Sequence, residues 1–324
     1  MTENEIKDRI EEYTRRRPPG RVRVFEDTSA FMSITAGDVL LLGGRYFLVQ
    51  GEETEGRFGL EEQPKFWVKR ATDLADGSRK LVKLSFHETF TLRIGGLALE
   101  CYRSPEKEAR ILDLTRGDSL FMQGSWVADT AGNPVRILDR ITGTPFYAQV
   151  NALDLPHAAY FSDVLPGLFC RVVEAVSGIA RLHALGEIHG DIRNDHLYLD
   201  RETGSFRWID FDYAYGPTEN PYGVDLFGLG NVLLFLTGMG FHNLADITAC
   251  LPPGAAGEVC LSREDFSLFF PHRVMNLKKI FPHVPESLNQ VLMRFSAGST
   301  AFYENAGELL EDLSTASRDL GCGV

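Results

Sequence analysis

The sequence is short of cysteine and has no clustered metal ligands. Its 324 residues include five cysteines, at positions 101, 170, 250, 260 and 322, and none of them forms a CxxC pair. A zinc site would need clustered Cys and His ligands, which are absent. Because the count is odd and the spacing irregular, we expect reduced, mostly buried thiols in a cytoplasmic protein.

Long apolar runs are also missing. The N-terminal twenty residues have no apolar core, which argues against a secretory signal. The most apolar long stretch runs from Val224 to Phe241, is short for a membrane span and has a charged Asp225 near its start. We therefore expect a buried core helix there and no membrane partner.

Positive charge is scarce. The chain has 45 acidic and 33 basic residues, and its formal net charge is −12. A general nucleic-acid binder needs an electropositive face, so this balance argues against nucleic acid as a partner. A single local basic patch remains compatible with the composition.

The pattern of residues predicts an α+β protein whose character changes near residue 150. A short amphipathic helix with Ile6, Ile10 and Tyr13 on one side should end before Pro18. Strands follow, with a turn at Gly77, and then a helix capped by Ser104. We expect an N-terminal arm at 1–24, a β-rich lobe with one helix at 25–145, and a mainly helical lobe at 146–324.

The strongest motif lies in the second lobe. His189-Gly190-Asp191 resembles the catalytic-loop triplet of the protein-kinase superfamily, and Ile209-Asp210-Phe211-Asp212 resembles its metal-binding element, with Asp in place of Gly. The two aspartates Asp191 and Asp210 are 19 positions apart, and a hairpin is predicted between them. This resemblance implies a two-lobed kinase-like fold that binds ATP and Mg²⁺ between its lobes.

The resemblance also implies separate tasks for the two carboxylates. Asp191 would orient or deprotonate the hydroxyl acceptor, assisted by His189 and by Arg193, which stands where serine/threonine kinases have lysine. Asp210 would hold Mg²⁺ on the phosphates. Asp225 resembles the buried aspartate that braces the catalytic loop, and such a charge must find backbone donors.

The ATP-binding residues of the first lobe are identified in the same way. Lys83 resembles the strand lysine that contacts the phosphates, with Lys80 and Lys69 as alternatives. Glu108 resembles the helix glutamate that pairs with this lysine, and Glu106 is the rival.

The rest of the nucleotide site carries weaker signals. Gly56 and Gly59 resemble the phosphate loop, although Thr54 replaces its first glycine and an ordinary hairpin tip is the alternative. The hinge that reads adenine is expected at Asp139 and Ile141, through backbone groups.

Two further departures from the family pattern, besides Arg193 in the place of lysine, bear on activity. His196 stands five residues after Asp191, where the family has a metal-binding asparagine. We assign it to the metal site, although imidazole suits Mg²⁺ poorly. Only 15 positions separate Asp210 from Asp225, a shortness that is similar to aminoglycoside and choline kinases. The closing helices are more similar to those of protein kinases.

These features lead to one leading hypothesis and three rivals. The first is a bacterial, eukaryotic-like serine/threonine kinase that phosphorylates an unknown protein or small-molecule hydroxyl. The rivals are a small-molecule kinase, a pseudokinase that binds nucleotide or a partner protein, and an unrelated α+β protein.

Overall fold

The computed structural model describes residues 1–57, 60–94, 96–245, 247 and 260–322. The chain divides into two compact units, each made from two stretches of sequence. Unit 1 contains Met1–Glu88 and Arg103–Ile141, and unit 2 contains Thr89–Tyr102 and Thr142–Val324. Helices and sheets are both prominent, so the predicted α+β class is confirmed.

The described ranges contain thirteen strands and eight α-helices. The strands are β1 (Val24–Phe25), β2 (Val39–Leu42), β3 (Arg45–Arg57), β4 (Leu60–Asp73), β5 (Arg79–Lys83), β6 (Thr89–Ile94), β7 (Leu97–Arg103), β8 (Gly124–Ala128), β9 (Pro134–Asp139), β10 (Gly143–Pro145), β11 (Leu197–Asp200), β12 (Phe206–Trp208) and β13 (Tyr213–Tyr215). The helices are α1 (Glu3–Thr14), α2 (Pro105–Leu114), α3 (Phe146–Asn151), α4 (His157–Asp163), α5 (Leu165–Ala184), α6 (Gly223–Gly238), α7 (Glu286–Met293) and α8 (Ala306–Asp319).

Unit 1 is built on a seven-stranded sheet in the order β1-β2-β3-β4-β5-β9-β8. The β1–β2 pair is parallel and the other pairs are antiparallel. Successive residues of a strand point to opposite faces of a sheet, and one face of this sheet is buried in an apolar core. Phe47, Val82 and Val135 are fully buried in this core.

The N-terminal helix α1 packs on unit 1 through the predicted face. Ile6 and Ile10 are buried with Val39 and Leu48, and the ring of Tyr13 packs against the same cluster. The α1 helix begins with a capping box, in which Thr2 and Glu5 satisfy each other's backbone N–H groups. The arm is thereby fixed to the sheet.

Turn and cap residues place β5 and α2. Gly77 has φ +76 in the β4–β5 turn, a conformation that glycine adopts without steric cost. Ser104 caps α2 by accepting a hydrogen bond from the backbone N–H of Lys107, and Pro105 opens the helix. Both features agree with the sequence analysis.

Unit 2 combines two small sheets with most of the helices. The sheets have the orders β10-β11-β12 and β13-β7-β6. The β11–β12 hairpin is the one predicted between Asp191 and Asp210. Because the β6–β7 hairpin shares a sheet with β13, residues 89–102 belong to unit 2 although they precede α2 in the sequence.

The helical core of unit 2 follows the predicted spacing closely. Helix α5 buries an apolar stripe that includes Phe169, Val176 and Ile179, but Leu185, expected on that stripe, is 58% exposed. The helix ends at Ala184, and Gly186 adopts φ +77 just beyond it, as a C-terminal stop does. Helix α6 is buried along most of its length, as expected for Val224 to Phe241.

The prediction that the cysteines are reduced is wrong for one pair. Cys170, on α5, and Cys322, after α8, form a disulfide with a Cα–Cα distance of 6.0 Å. The two residues are 152 positions apart, so no local spacing could have indicated the bond. Cys101 is a buried thiol and Cys260 an exposed one, whereas Cys250 lies outside the described residues.

No helix in the described ranges is both long enough and apolar enough to span a bilayer.

Candidate functional site

The predicted lysine and glutamate of unit 1 form a buried ion pair. Lys83 ends β5, and its Nζ donates to Oε1 of Glu108 in the first turn of α2 at 2.7 Å. The two side chains are only 6% and 0% exposed. The rival Glu106 instead accepts a hydrogen bond from the Ser104 hydroxyl at 3.3 Å. The pairing expected for Lys83 and Glu108 is therefore present.

A second cation, Arg136, was missed by the sequence analysis. It lies on β9 directly opposite Lys83, and its Nε donates to the other carboxylate oxygen of Glu108 at 3.0 Å. Its Nη1 donates to the carbonyl of Pro134 at 2.7 Å, and the side chain is fully buried. The available signal was an arginine inside the apolar run Val135–Leu138, because a buried arginine needs a carboxylate partner.

The two alternative lysines have other partners. The Lys69 ammonium donates to the carbonyl of Ile34 at 2.7 Å and to Glu52 at 3.0 Å. The Lys80 ammonium donates to Asp139 at 2.5 Å. Neither of these contacts is to the α2 glutamate, which leaves Lys83 as the lysine that fits the expected pairing.

The predicted phosphate loop lies only partly within the described residues. Gly56 lies in β3, and the next residue, Arg57, pairs with Leu60 of β4. Gly59 lies outside the described residues. At the predicted hinge, the N–H of Asp139 donates to the carbonyl of Gln123 at 2.9 Å, and the proposed adenine contacts of Asp139 and Ile141 stay predictions.

In unit 2, Asp225 binds the backbone of the loop that the sequence analysis predicts to be catalytic. One carboxylate oxygen accepts the N–H of His189 and the other accepts the N–H of Gly190, both at 2.7 Å. His183 Nε2 lies 3.0 Å from the first of these oxygens. Burial acts to raise the pKa of Asp225, but these hydrogen bonds and the nearby imidazoles lower it below its ordinary value. The expectation that this buried charge finds backbone donors is confirmed.

The turn before Asp191 is held from a second side. Gly190 has φ +89, which favours glycine at this position of the triplet. The hydroxyl of Tyr215, on β13, donates to the Gly190 carbonyl at 2.5 Å. The ring of His189 is fully buried edge-on against Trp208 and Phe211, and its Nδ1 accepts the N–H of Asp191 at 3.2 Å. His189 thus positions the loop from within the core.

The Asp191 side chain is largely buried beside two basic groups. Its side chain is 16% exposed, and its oxygens lie 3.4 Å from His196 Nδ1 and 3.7 Å from Arg193 Nε. Burial raises the pKa of the Asp191 carboxyl, opposed by His196 and Arg193 and reinforced by Asp210 and Asp212. A carboxylate with a raised pKa is a stronger base than an exposed one.

His196, which replaces the expected asparagine, uses both ring nitrogens inside the loop. Its Nδ1 lies 2.8 Å from the Asp191 carbonyl oxygen, and since a carbonyl can only accept, Nδ1 carries the proton. Its Nε2 is then the acceptor for Arg193 Nη2 at 2.7 Å. Nε2 also lies 3.7 Å from an Asp210 oxygen. Metal binding by Nε2 would require Arg193 to release it.

Asp210 combines an acidic side chain with an unusual backbone. Its φ is +68, in the left-handed region that few residues other than glycine adopt. Carboxylate oxygens of Asp210 and Asp212 lie within 4.8 Å of each other. Asp212 is almost fully buried. Oxygen ligands of this kind are those that Mg²⁺ prefers, so the donor set fits a divalent cation.

No protein-family model matches the chain, and no curated protein is significantly similar to it.

Proposed function

We propose that this chain is an ATP-dependent phosphotransferase, similar to serine/threonine protein kinases, that transfers the γ-phosphate to a hydroxyl acceptor. The observation that carries the proposal is the buried Lys83–Glu108 ion pair. Desolvation makes a buried ion pair a weak source of stability, so its presence favours a functional role. The pair also joins the two residues of unit 1 that the kinase resemblance assigns to this pairing.

Unit 1 supplies positive charge for phosphates in this proposal. Glu108 fixes the ammonium of Lys83, and Arg136 holds the other oxygen of the same carboxylate. Two cations share one carboxylate, so the three side chains carry a net positive charge that suits the α- and β-phosphates of ATP.

Asp191 of unit 2 acts on the acceptor. As the acceptor oxygen forms a bond to the γ-phosphorus, the bond from phosphorus to the leaving β-phosphate oxygen breaks, and the hydroxyl proton passes to the Asp191 carboxylate. Arg193 places a cation beside the Asp191 carboxylate. Asp225 and Tyr215 fix the backbone on either side of Gly190, so the carboxylate is positioned before substrate binds.

Asp210 and Asp212 are the residues that would hold Mg²⁺. The bound ion would neutralise phosphate charge during transfer. The carboxylates are hard oxygen ligands, whereas the His196 nitrogen is a poorer ligand and is engaged by Arg193. We assign Asp210 as the principal ligand and Asp212 as its neighbour, and His196 as a residue that orients Arg193.

Thermal unfolding with ATP tests this proposal. A ligand at about 100 times its dissociation constant stabilises by roughly 2.7 kcal/mol, which raises the melting temperature of a chain of this size by a few degrees. We expect a shift with ATP and Mg²⁺ that Asp210→Asn abolishes. Asp154→Asn, which removes an exposed carboxylate from the same unit, should leave the shift intact. Absence of any shift for the wild type would overturn the proposal.

A pseudokinase is the second candidate, and one observation favours it. The Nε2 lone pair of His196, at the position of the family's metal-binding asparagine, is taken by Arg193. A pseudokinase would bind ATP without Mg²⁺ dependence, or would not bind it. The two candidates therefore separate on whether the ATP shift requires Mg²⁺ and Asp210.

A further inference from the structure

Unit 1 has a pocket that the proposed function does not use. Its volume is about 570 Å³, within the range of roughly 300–1,000 Å³ typical of small-molecule sites. The lining residues all belong to unit 1: Tyr13, Thr14, Gln50, Arg70, Ala71, Thr72, Gly77, Arg79, Lys80 and Arg140. They come from α1, from three strands of the sheet, from the β4–β5 turn and from the segment after β9.

The pocket concentrates positive charge in an acidic protein. Four of its lining residues are cationic and none is acidic, although the whole chain has 45 acidic and 33 basic residues. Lys80 is paired with Asp139. Arg70, Arg79 and Arg140 make no ion pair or side-chain hydrogen bond with any residue in the described ranges. Three arginines without partners around one concavity raise the local potential and favour an anion.

The remaining lining groups suit a phosphorylated ligand. Gln50 and Thr72 are hydrogen-bonded to each other at 3.2 Å and present an amide and a hydroxyl at the pocket. Arginine binds phosphate oxygens through two parallel N–H groups, which an ammonium cannot do. Three arginines therefore suit a ligand with more than one phosphate group.

The N-terminal helix forms one wall of the pocket. Burial of Ile6 and Ile10 fixes α1 on the sheet, and this places Tyr13 at the rim. The Tyr13 ring lies over Gly77 so closely that a Cβ at position 77 would be 2.6 Å from it. The arm thus has a role beyond covering the sheet, because without it the pocket would lose Tyr13 and Thr14.

The pocket is separate from the Lys83 ammonium. Arg79 and Lys80 precede Lys83 on β5 by four and three residues. At about 3.3 Å per residue, this places them roughly 10–13 Å away along the strand. An anion held by Arg79 is therefore not the one that Lys83 would contact directly.

We propose that this pocket binds a small anion with two or more phosphate groups, held by Arg70, Arg79 and Arg140. The source of the phosphates is either a nucleotide or a phosphorylated compound without a base. The proposal does not depend on phosphotransfer, since none of these arginines belongs to the catalytic loop or to the Lys83–Glu108 pair.

Calorimetric titration with pyrophosphate, in the presence of a metal chelator, tests the proposal. We expect binding to the wild type and a loss of affinity on the order of ten-fold or more in Arg70→Gln/Arg140→Gln, because charged hydrogen bonds are removed. Arg21→Gln/Arg116→Gln is the matched control, since it removes two exposed arginines elsewhere in unit 1 and should bind as the wild type does. Lys83→Met should also bind pyrophosphate normally.

The other ligands identify the source of the phosphates. Competition by ADP that is stronger than competition by pyrophosphate indicates a nucleotide, and equal competition indicates a compound without a base. No binding of pyrophosphate at millimolar concentration, equal binding by the Arg70/Arg140 variant, or loss of binding in Lys83→Met would each overturn the proposal. The Mg²⁺–ATP shift and its loss in Asp210→Asn are measured independently of these results.

Discussion

The two units bury charge in opposite ways. In unit 1, two cations share the single carboxylate of Glu108, and all three side chains are buried. In unit 2, three carboxylates, Asp191, Asp210 and Asp212, are close enough to influence one another, and the basic groups of the loop are Arg193 and His196. One unit therefore holds an excess of buried positive charge, and the other an excess of acidic charge.

Under the proposed function, each unit would suit a different ligand group. Phosphates need cations, and a divalent metal needs oxygen anions. This arrangement of charge also differs from the way in which unit 2 holds its one structural carboxylate, Asp225, which is satisfied by two backbone N–H groups and a histidine. Asp225, which backbone donors satisfy, can therefore be distinguished from the clustered carboxylates Asp191, Asp210 and Asp212.

The largest effect should come from removing the structural carboxylate. Asp225→Ala leaves the buried N–H groups of His189 and Gly190 and the ring of His183 without their acceptor. We expect the free energy of unfolding to fall by about 3–5 kcal/mol, measured by urea denaturation. Asp225→Asn keeps one acceptor oxygen and should cost less. If Asp225→Ala costs no more than Asp154→Asn, the carboxylate does not brace the loop.

Neutralising Glu108 in unit 1 should cost nearly as much stability as removing Asp225. Removing one of the two cations that it binds should cost less. Glu108→Gln leaves Lys83 and Arg136 buried with a neutral partner, so we expect a loss of about 3–4 kcal/mol. Lys83→Met should cost only about 1–2 kcal/mol, because Arg136 still pairs with Glu108. Urea denaturation of both variants measures this asymmetry. Equal losses would show that Arg136 does not compensate the glutamate.

Acid should weaken unit 2 before unit 1. Burial lowers the pKa of His157 to about 4, and repulsion by His283 and His242 acts in the same direction. The hydrogen bond of His157 to the Thr237 carbonyl acts to raise the pKa but is the weaker effect. An unfolded histidine has a pKa near 6.5, so the unfolded chain binds more protons between the two values, and stability falls as pH drops from about 6.5 to 4.

The expected size of this pH effect depends on how exposed His157 is. Because His157 is partly exposed, we expect a loss of roughly 1–2 kcal/mol rather than the full shift. His157→Gln should flatten the profile in this window, and His272→Gln, at an exposed histidine, should not. In unit 1, burial acts to raise the pKa of Asp129, but hydrogen bonds from Asn133 and Thr28 lower it to about 2. The stability that Asp129 contributes is therefore lost only below about pH 4. A flat wild-type profile from pH 7 to 4 would contradict the assignment.

Local signals explain which features could be predicted from the sequence. The Ser104 cap, the Gly77 turn and the apolar stripe of α5 depend on residues within a few positions of each other, and the structure has all of them. Lys83 and Glu108 are 25 positions apart, yet the family resemblance supplied their pairing. The prediction that Leu185 is buried on this stripe was wrong, because the helix ends one residue earlier. Periodicity alone does not fix the end of a helix.

Contacts between distant segments were not predictable. Arg136 reaches Glu108 only because β9 lies beside β5, and the Cys170–Cys322 disulfide joins residues 152 positions apart. The anion pocket has the same origin, since α1, the β3–β5 strands and Arg140 meet only in the folded unit. Composition allowed one local basic patch but could not place it.

The smallest effect should come from Asp210, and it should have the opposite sign. The left-handed backbone at this residue costs least with Gly or Asn, and the carboxylate is close to that of Asp212. A residue kept in a strained conformation beside like charge is expected at a functional site rather than a structural one. Asp210→Asn removes the repulsion and keeps a side chain that tolerates this backbone.

We therefore expect Asp210→Asn, without divalent cations, to raise the free energy of unfolding by about 0.5–1 kcal/mol. Asp210→Ala also removes the repulsion, but alanine tolerates the left-handed backbone less well, so this variant should be nearly neutral. Urea denaturation with a chelator measures both. With Mg²⁺ and ATP present the order should reverse, because only the wild type gains from binding. If Asp210→Asn is destabilising without any ligand, Asp210 belongs with Asp225 among the carboxylates that hold the fold, and the contrast between structural and ligand-binding acids fails at its central residue.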